Sequence, residues 1–162
     1  MTKPCCIALL LALAFALCLA PPVLADSSTM TATKFLRVAG PDSKLFYADY
    51  TLTANSAGAY SATTHATDIV NGFVFKVRTV PGSGAYSPTN NYDITLADDS
   101  GLDIMGGALA DRSATAVQWA SPIAQDGASL VEAPVSGPLF INIVNNSVPA
   151  AVVGIRLYIL RP

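Results

Sequence analysis

Almost every apolar stretch in the body of this chain is short and alternates with a period of two, and that pattern limits the fold more than any other feature. In Phe73-Val74-Phe75-Lys76-Val77-Arg78-Thr79 the alternation predicts Phe73, Phe75 and Val77 on a core face, with Lys76 and Arg78 in water. Tyr92, Ile94 and Leu96 alternate with Asp93 and Thr95 in the same way, and Leu139, Ile141 and Ile143 with Phe140, Asn142 and Val144. Near the carboxyl end Val153, Ile155, Leu157 and Ile159 form an inward set against Arg156 and Tyr158. Gly, Pro, Asn and Asp punctuate these runs, and outside the first 25 residues no apolar period of 3.6 persists for ten residues. The pattern predicts an all-β chain of about eight strands, at 34–39, 45–54, 58–64, 69–80, 90–97, 129–133, 138–146 and 151–160. Half-buried antiparallel strands are best covered by a second sheet, so the expected architecture is an antiparallel β-sandwich or jelly roll.

Composition matters at the amino end. The 162 residues are 52% hydrophobic, but 20 of the first 25 are apolar, which leaves about 64 in the other 137, an ordinary share for a globular domain. Lys3, the apolar stretch from Cys5 to Ala20, and Pro21-Pro22 ahead of Val23-Leu24-Ala25 have the layout of a secretory signal peptide cleaved after Ala25. At 16 residues the apolar stretch is short of the roughly 18–20 that span a bilayer, so membrane contact is expected to be transient. A lipoprotein reading through Cys18 is disfavoured by Leu17, which is not the small residue lipid attachment prefers. The expected organisation is a signal peptide at 1–25, a flexible arm at 26–33 (DSSTMTAT) and a β-sandwich domain at 34–162. Cys5, Cys6 and Cys18 all lie in the leader, so the mature chain has no disulfide and no thiol chemistry. Eight basic against eleven acidic side chains then leave it at −3, without the basic cluster that nucleic acid would need.

Few residues invite chemistry. Asp98, Asp99 and Asp103 around Gly101 are a candidate calcium set, but their spacing is not that of an EF-hand loop. The competing reading is a strand-ending turn in which Asp caps the backbone. His65, the single histidine, stands near hydroxyls and Asp68, yet no G-x-S-x-G elbow accompanies it. Neither a catalytic residue nor a cofactor is expected, and a hydrolase is the weakest reading. Trp119, the only tryptophan, suits an interface anchor or the core equally. Asn145-Asn146-Ser147 is a glycosylation sequon. Pro81 to Pro88 reads as an exposed, mobile hairpin loop. The 30 residues from Asp98 to Gly127 are too long for a bare connection, and a short helix near Gly107–Ser113 with a strand piece near Thr115–Trp119 would fill it.

From Tyr92-Asp93-Ile94-Thr95-Leu96 through Asp99-Ser100-Gly101-Leu102-Asp103 to Gly106-Gly107-Ala108-Leu109-Ala110-Asp111-Arg112, the chain resembles a family of small tailed-bacteriophage virion structural proteins. The shared order is a polar, Thr-rich strand pair, a strand like 73–80, a Gly/Pro loop, Y-D-[IV]-T-L, D-x-x-G-x-D, G-G-x-x-x-x-R and a last strand of the V-x-[LI]-Y-I type, over about residues 50–160. The resemblance implies a non-enzymatic structural protein that works by association with itself or with a protein partner. Asp103 and Arg112 fall on the motif, and an ion pair between them is expected to tie the long connection to the sandwich. Joined to the leader, the resemblance implies a secreted or periplasmic protein. The alternatives are a virion decoration or tail component translated from Met30 without the leader, and a secreted ligand-binding or adhesive module.

Overall fold

The computed structural model describes residues 27–37, 44–60, 66–68, 70–124 and 127–162. The leader, Ala25 and His65 lie outside the described residues, as does most of the strand expected at 58–64. Among the described residues there are eight strands: β1 (Thr29–Arg37), β2 (Leu45–Thr53), β3 (Val70–Pro81), β4 (Asp93–Ala97), β5 (Gln118–Ala120), β6 (Ala133–Gly137), β7 (Phe140–Val144) and β8 (Val152–Leu160). All pairings are antiparallel, and the all-β expectation holds.

The larger sheet runs β1-β2-β8-β3, and the far edge of β3 is shared by β6, opposite Val70–Val74, and β5, opposite Val77–Thr79. The smaller sheet is β4 with β7. Between the layers lies one continuous core. Tyr50 and Leu52 of β2, Val74 and Val77 of β3, and Val153, Ile155, Leu157 and Ile159 of β8 meet Ile94 and Leu96 of β4 and Ile141 and Ile143 of β7. Each such aliphatic side chain contributes about 1.5–3 kcal/mol by leaving water. The alternations read for β4, β7 and β8 are those observed.

β3 departs from its alternation. Val74 pairs with Ile159 and Lys76 with Tyr158, so Phe75 is an extra residue, and the bulge inverts the pattern. Val74, Val77 and Thr79 are buried, while Phe73 and Phe75 are only half-buried and stay out of the core. Strict alternation counted from Val74 would have sent Lys76 inward and Val77 outward; the bulge keeps Lys76 out of the core and Val77 in it.

Four segments also differ from expectation. Thr29 to Thr33, read as part of a flexible arm, belong to β1 and pair with β2, because a Thr-rich alternating run makes an adequate edge strand. Residues 129–133 are not the sixth strand, which starts at Ala133; Pro134 is tolerated there because β6 lies on the sheet edge. Pro81 to Pro88 is no hairpin, since β3 and β4 belong to different sheets, and a single 3-10 turn at Gly84–Tyr86 carries the crossover. No helix forms at Gly107–Ser113. Gly106, Gly107 and Asp111 take φ values of 61°, 83° and 52°, which an α-helix excludes.

Candidate functional site

The long connection after β4 folds as a chain of turns fastened to the outer edge of β4. Bridges join Tyr92 with Arg112, Ala97 with Asp103 and Ile123 with Leu130, and Met105 and Leu109 are buried in the core. Asp103 is the clasp. Its Oδ1 accepts from the amides of Leu96 (3.2 Å) and Met105 (3.1 Å), and its Oδ2 from the amide of Gly107 (2.8 Å). Gly106 lies so close to Ile123 that a Cβ there would sit 2.2 Å from the Ile123 carbonyl oxygen. Asp98 closes the turn after β4, its Oδ1 accepting from the Ser100 hydroxyl (2.7 Å) and amide (2.9 Å) and the Leu102 amide (3.0 Å). These bonds, the Ser100 hydroxyl foremost, hold its carboxyl below the usual range.

One expectation fails at this point. Asp103 commits its carboxylate to backbone amides, while Arg112 donates from Nε to the Ala110 carbonyl (3.3 Å), so the ion pair expected between them does not form. Burial lowers the Arg112 pKa, opposed by Tyr92 and Asp111. Asp98, Asp99 and Asp103 do not converge either: among the described residues no three His, Cys, Asp or Glu side chains are grouped to hold a metal ion. The acidic turn is built by its own hydrogen bonds.

The opposite side of the molecule, the outer face of the larger sheet, carries a different set of groups. Register places Tyr47, Tyr158 and Lys76 in one cross-strand row, and Asp49, Arg156, Arg78 and Trp119 in the next. Trp119 is 48% exposed, which settles its place outside the core. Its ring centroid is 5.6 Å from that of Tyr158, with Lys76 Nζ at 4.4 Å and Arg78 Cζ at 5.7 Å. Tyr158 also meets Phe75 at 6.2 Å and Tyr47 at 6.4 Å, and Arg156 Cζ lies 4.2 Å from the Tyr47 ring. Arg156 is held in a fork by Asp49, Nε to Oδ1 at 2.6 Å and Nη2 to Oδ2 at 2.7 Å, and this pairing raises its pKa further above the ordinary value.

Charge is distributed unevenly along the chain. Of nine Lys and Arg, seven (Lys34, Arg37, Lys44, Lys76, Arg78, Arg156 and Arg161) are in or next to strands of the larger sheet. Five of eleven acids (Asp93, Asp98, Asp99, Asp103 and Asp111) lie on β4 and the connection after it, beside the single base Arg112. Aromatic rings and cations interleave on the outer face of the larger sheet, half open to water. Sequence reasoning singled out Trp119 but assigned Lys76, Arg78, Arg156 and Tyr158 only to a wet face. The signal available was the density of rings and cations on that face, more than solvation requires. The chain matches no family model, no curated protein and no solved structure.

Proposed function

We propose that this is an exported, non-enzymatic structural protein that works by association, the larger sheet's outer face of one copy docking on the acidic β4 side of another. The observation that carries the reading is Trp119, half exposed yet packed against Tyr158 and flanked by Lys76 and Arg78. Trp, Tyr and Arg are the residues that most often anchor protein interfaces. Lys76, Arg78 and Arg156 on the outer face and Asp93, Asp98, Asp99, Asp103 and Asp111 on the β4 side support a second copy as the partner, because the two groups are opposite in charge. Contact between unlike surfaces is heterologous, and it extends into rings or filaments, as a particle-bound or surface-layer protein requires. The leader at Met1–Ala25 supports export, and the resemblance to tailed-phage virion proteins supports the structural role.

Sedimentation velocity of the exported protein tests this. Concentration-dependent assembly that weakens as salt rises and loses at least tenfold in affinity with Trp119→Ala is expected. A monomer at millimolar concentration and low salt would overturn the reading.

A further inference from the structure

One glycine on the docking face is not explained by packing. Gly154 lies in the middle of β8, opposite Thr51 on β2 and Val80 on β3, and helps to line an open dent of about 220 Å³ walled by Asp49, Thr51, Arg78, Val80 and Arg156. Glycine inside a strand is normally unfavourable, and it is often found where another group approaches the backbone. Here its conformation does not require it, since its φ is not positive. Space does not require it either: a Cβ at Gly154 would lie 3.5 Å from Val80 Cβ and 3.5 Å from the Val80 carbonyl oxygen, ordinary contact distances. Alanine fits the fold and would fill the floor of the cavity.

The walls carry two guanidiniums and one carboxylate. Arg78 and Arg156 stand directly opposite each other across β3 and β8, a like-charge pairing that destabilises a sheet on its own. Asp49 neutralises only Arg156, with both oxygens committed to that fork. Arg78 Nε is buried and has no hydrogen-bond partner among the described residues. A buried charged donor without an acceptor is costly, and an oxyanion held in the dent would offset the repulsion and, once the Arg78 side chain turns to meet it, supply the missing bond.

We propose that the dent over Gly154 is a carboxylate-binding site, and that its occupant is Asp99 of a second copy. The proposal rests on the self-association reading above and names its contact. Within the acidic turn Asp98 and Asp103 commit their carboxylates to their own backbone, whereas Asp99 is exposed at the tip, with its carboxylate in no hydrogen bond or ion pair to another described residue. A planar carboxylate matches the guanidinium fork of Arg78, and Val80 and Thr51 complete the walls.

The test follows the Arg78 Nε–Hε resonance by NMR in the exported protein while N-acetylaspartate methylamide is added. A saturable shift is expected, abolished by Gly154→Ala, whose melting temperature stays equal to the wild type's or rises. In sedimentation, Asp99→Lys weakens assembly at least tenfold, and combining it with Arg78→Asp restores part of the loss. A shift that never saturates, or that persists in Gly154→Ala, overturns the site. If Trp119-dependent assembly persists undiminished in Gly154→Ala, the dent is refuted while the association surface stands. If Arg78 binds the probe in a protein that stays monomeric, Asp99 of a second copy is refuted as its occupant.

Discussion

The two faces of the larger sheet are made by the same strands, residue by alternate residue, and they differ in kind. Inward, β8 presents Val153, Ile155, Leu157 and Ile159, all almost inaccessible to water; outward it presents Gly154, Arg156 and Tyr158. The inner face consists of aliphatic groups that gain by leaving water, and its composition follows from stability alone. The outer face has no such excuse. Solvation would be satisfied by Thr, Ser or Lys, yet Trp119, Tyr158, Tyr47, Arg78 and Arg156 gather there. Side chains held in one geometry at the surface add little to stability, and in the proposed function they serve a partner.

That contrast can be broken by substitution on each face. The largest loss belongs to the inner one: Leu157→Ala, fully buried in β8, is expected to cost about 2–5 kcal/mol in chemical denaturation. A loss as small as a surface substitution would mean the layers are not packed as described. Alkaline pH probes the same interior. Burial first of all pushes Tyr50 and Tyr92 up to about 12 from 10.0, so between pH 10 and 12 the unfolded chain has released protons that the folded one keeps. Stability contributed by both is intact below pH 10 and declines as pH rises toward 12, by on the order of 2 kcal/mol for each. A melting temperature that stays flat from pH 9 to 12 would contradict their burial.

Next comes the clasp that closes the β4 side. Asp103→Ala removes the acceptor of three backbone amides and is expected to cost about 1–3 kcal/mol, with Asp103→Asn recovering part of it; thermal denaturation reads both. Arg112→Ala should cost less than Asp103→Ala, because the two side chains do not pair. The smallest stability effect falls on the outer face. Asp49→Ala breaks a partly exposed ion pair and is expected to change stability by roughly 0–1 kcal/mol. Its effect should appear in assembly instead, since Arg156 loses the fork that holds it.

Where the period of two continues unbroken, in β4, β7 and β8, inward and outward residues follow directly from the sequence. β3 failed for a definite reason: a bulge at Phe75 is a tertiary accommodation to β8 that leaves no mark in local alternation. The connection after β4 was recognised as too long to be bare, but Gly106, Gly107 and Asp111 in left-handed conformations make it a series of turns rather than a helix. Asp103 and Arg112, adjacent in the motif, invite an ion pair that the competing backbone amides pre-empt. The outer face was legible only in part. Trp119 stood out as a single residue, whereas its row with Arg78, Arg156 and Asp49 depends on register across four strands, which no one segment encodes.

The central claim, that this face is where the protein associates, has a built-in reporter, because Trp119 is the only tryptophan in the chain. Acrylamide quenching of its fluorescence, measured from micromolar to millimolar protein at low salt, is the most direct measurement. The account predicts that quenching falls at least twofold as assembly proceeds, with a blue shift that added salt reverses. Quenching that stays constant while sedimentation shows assembly would place the contact elsewhere and contradict the account.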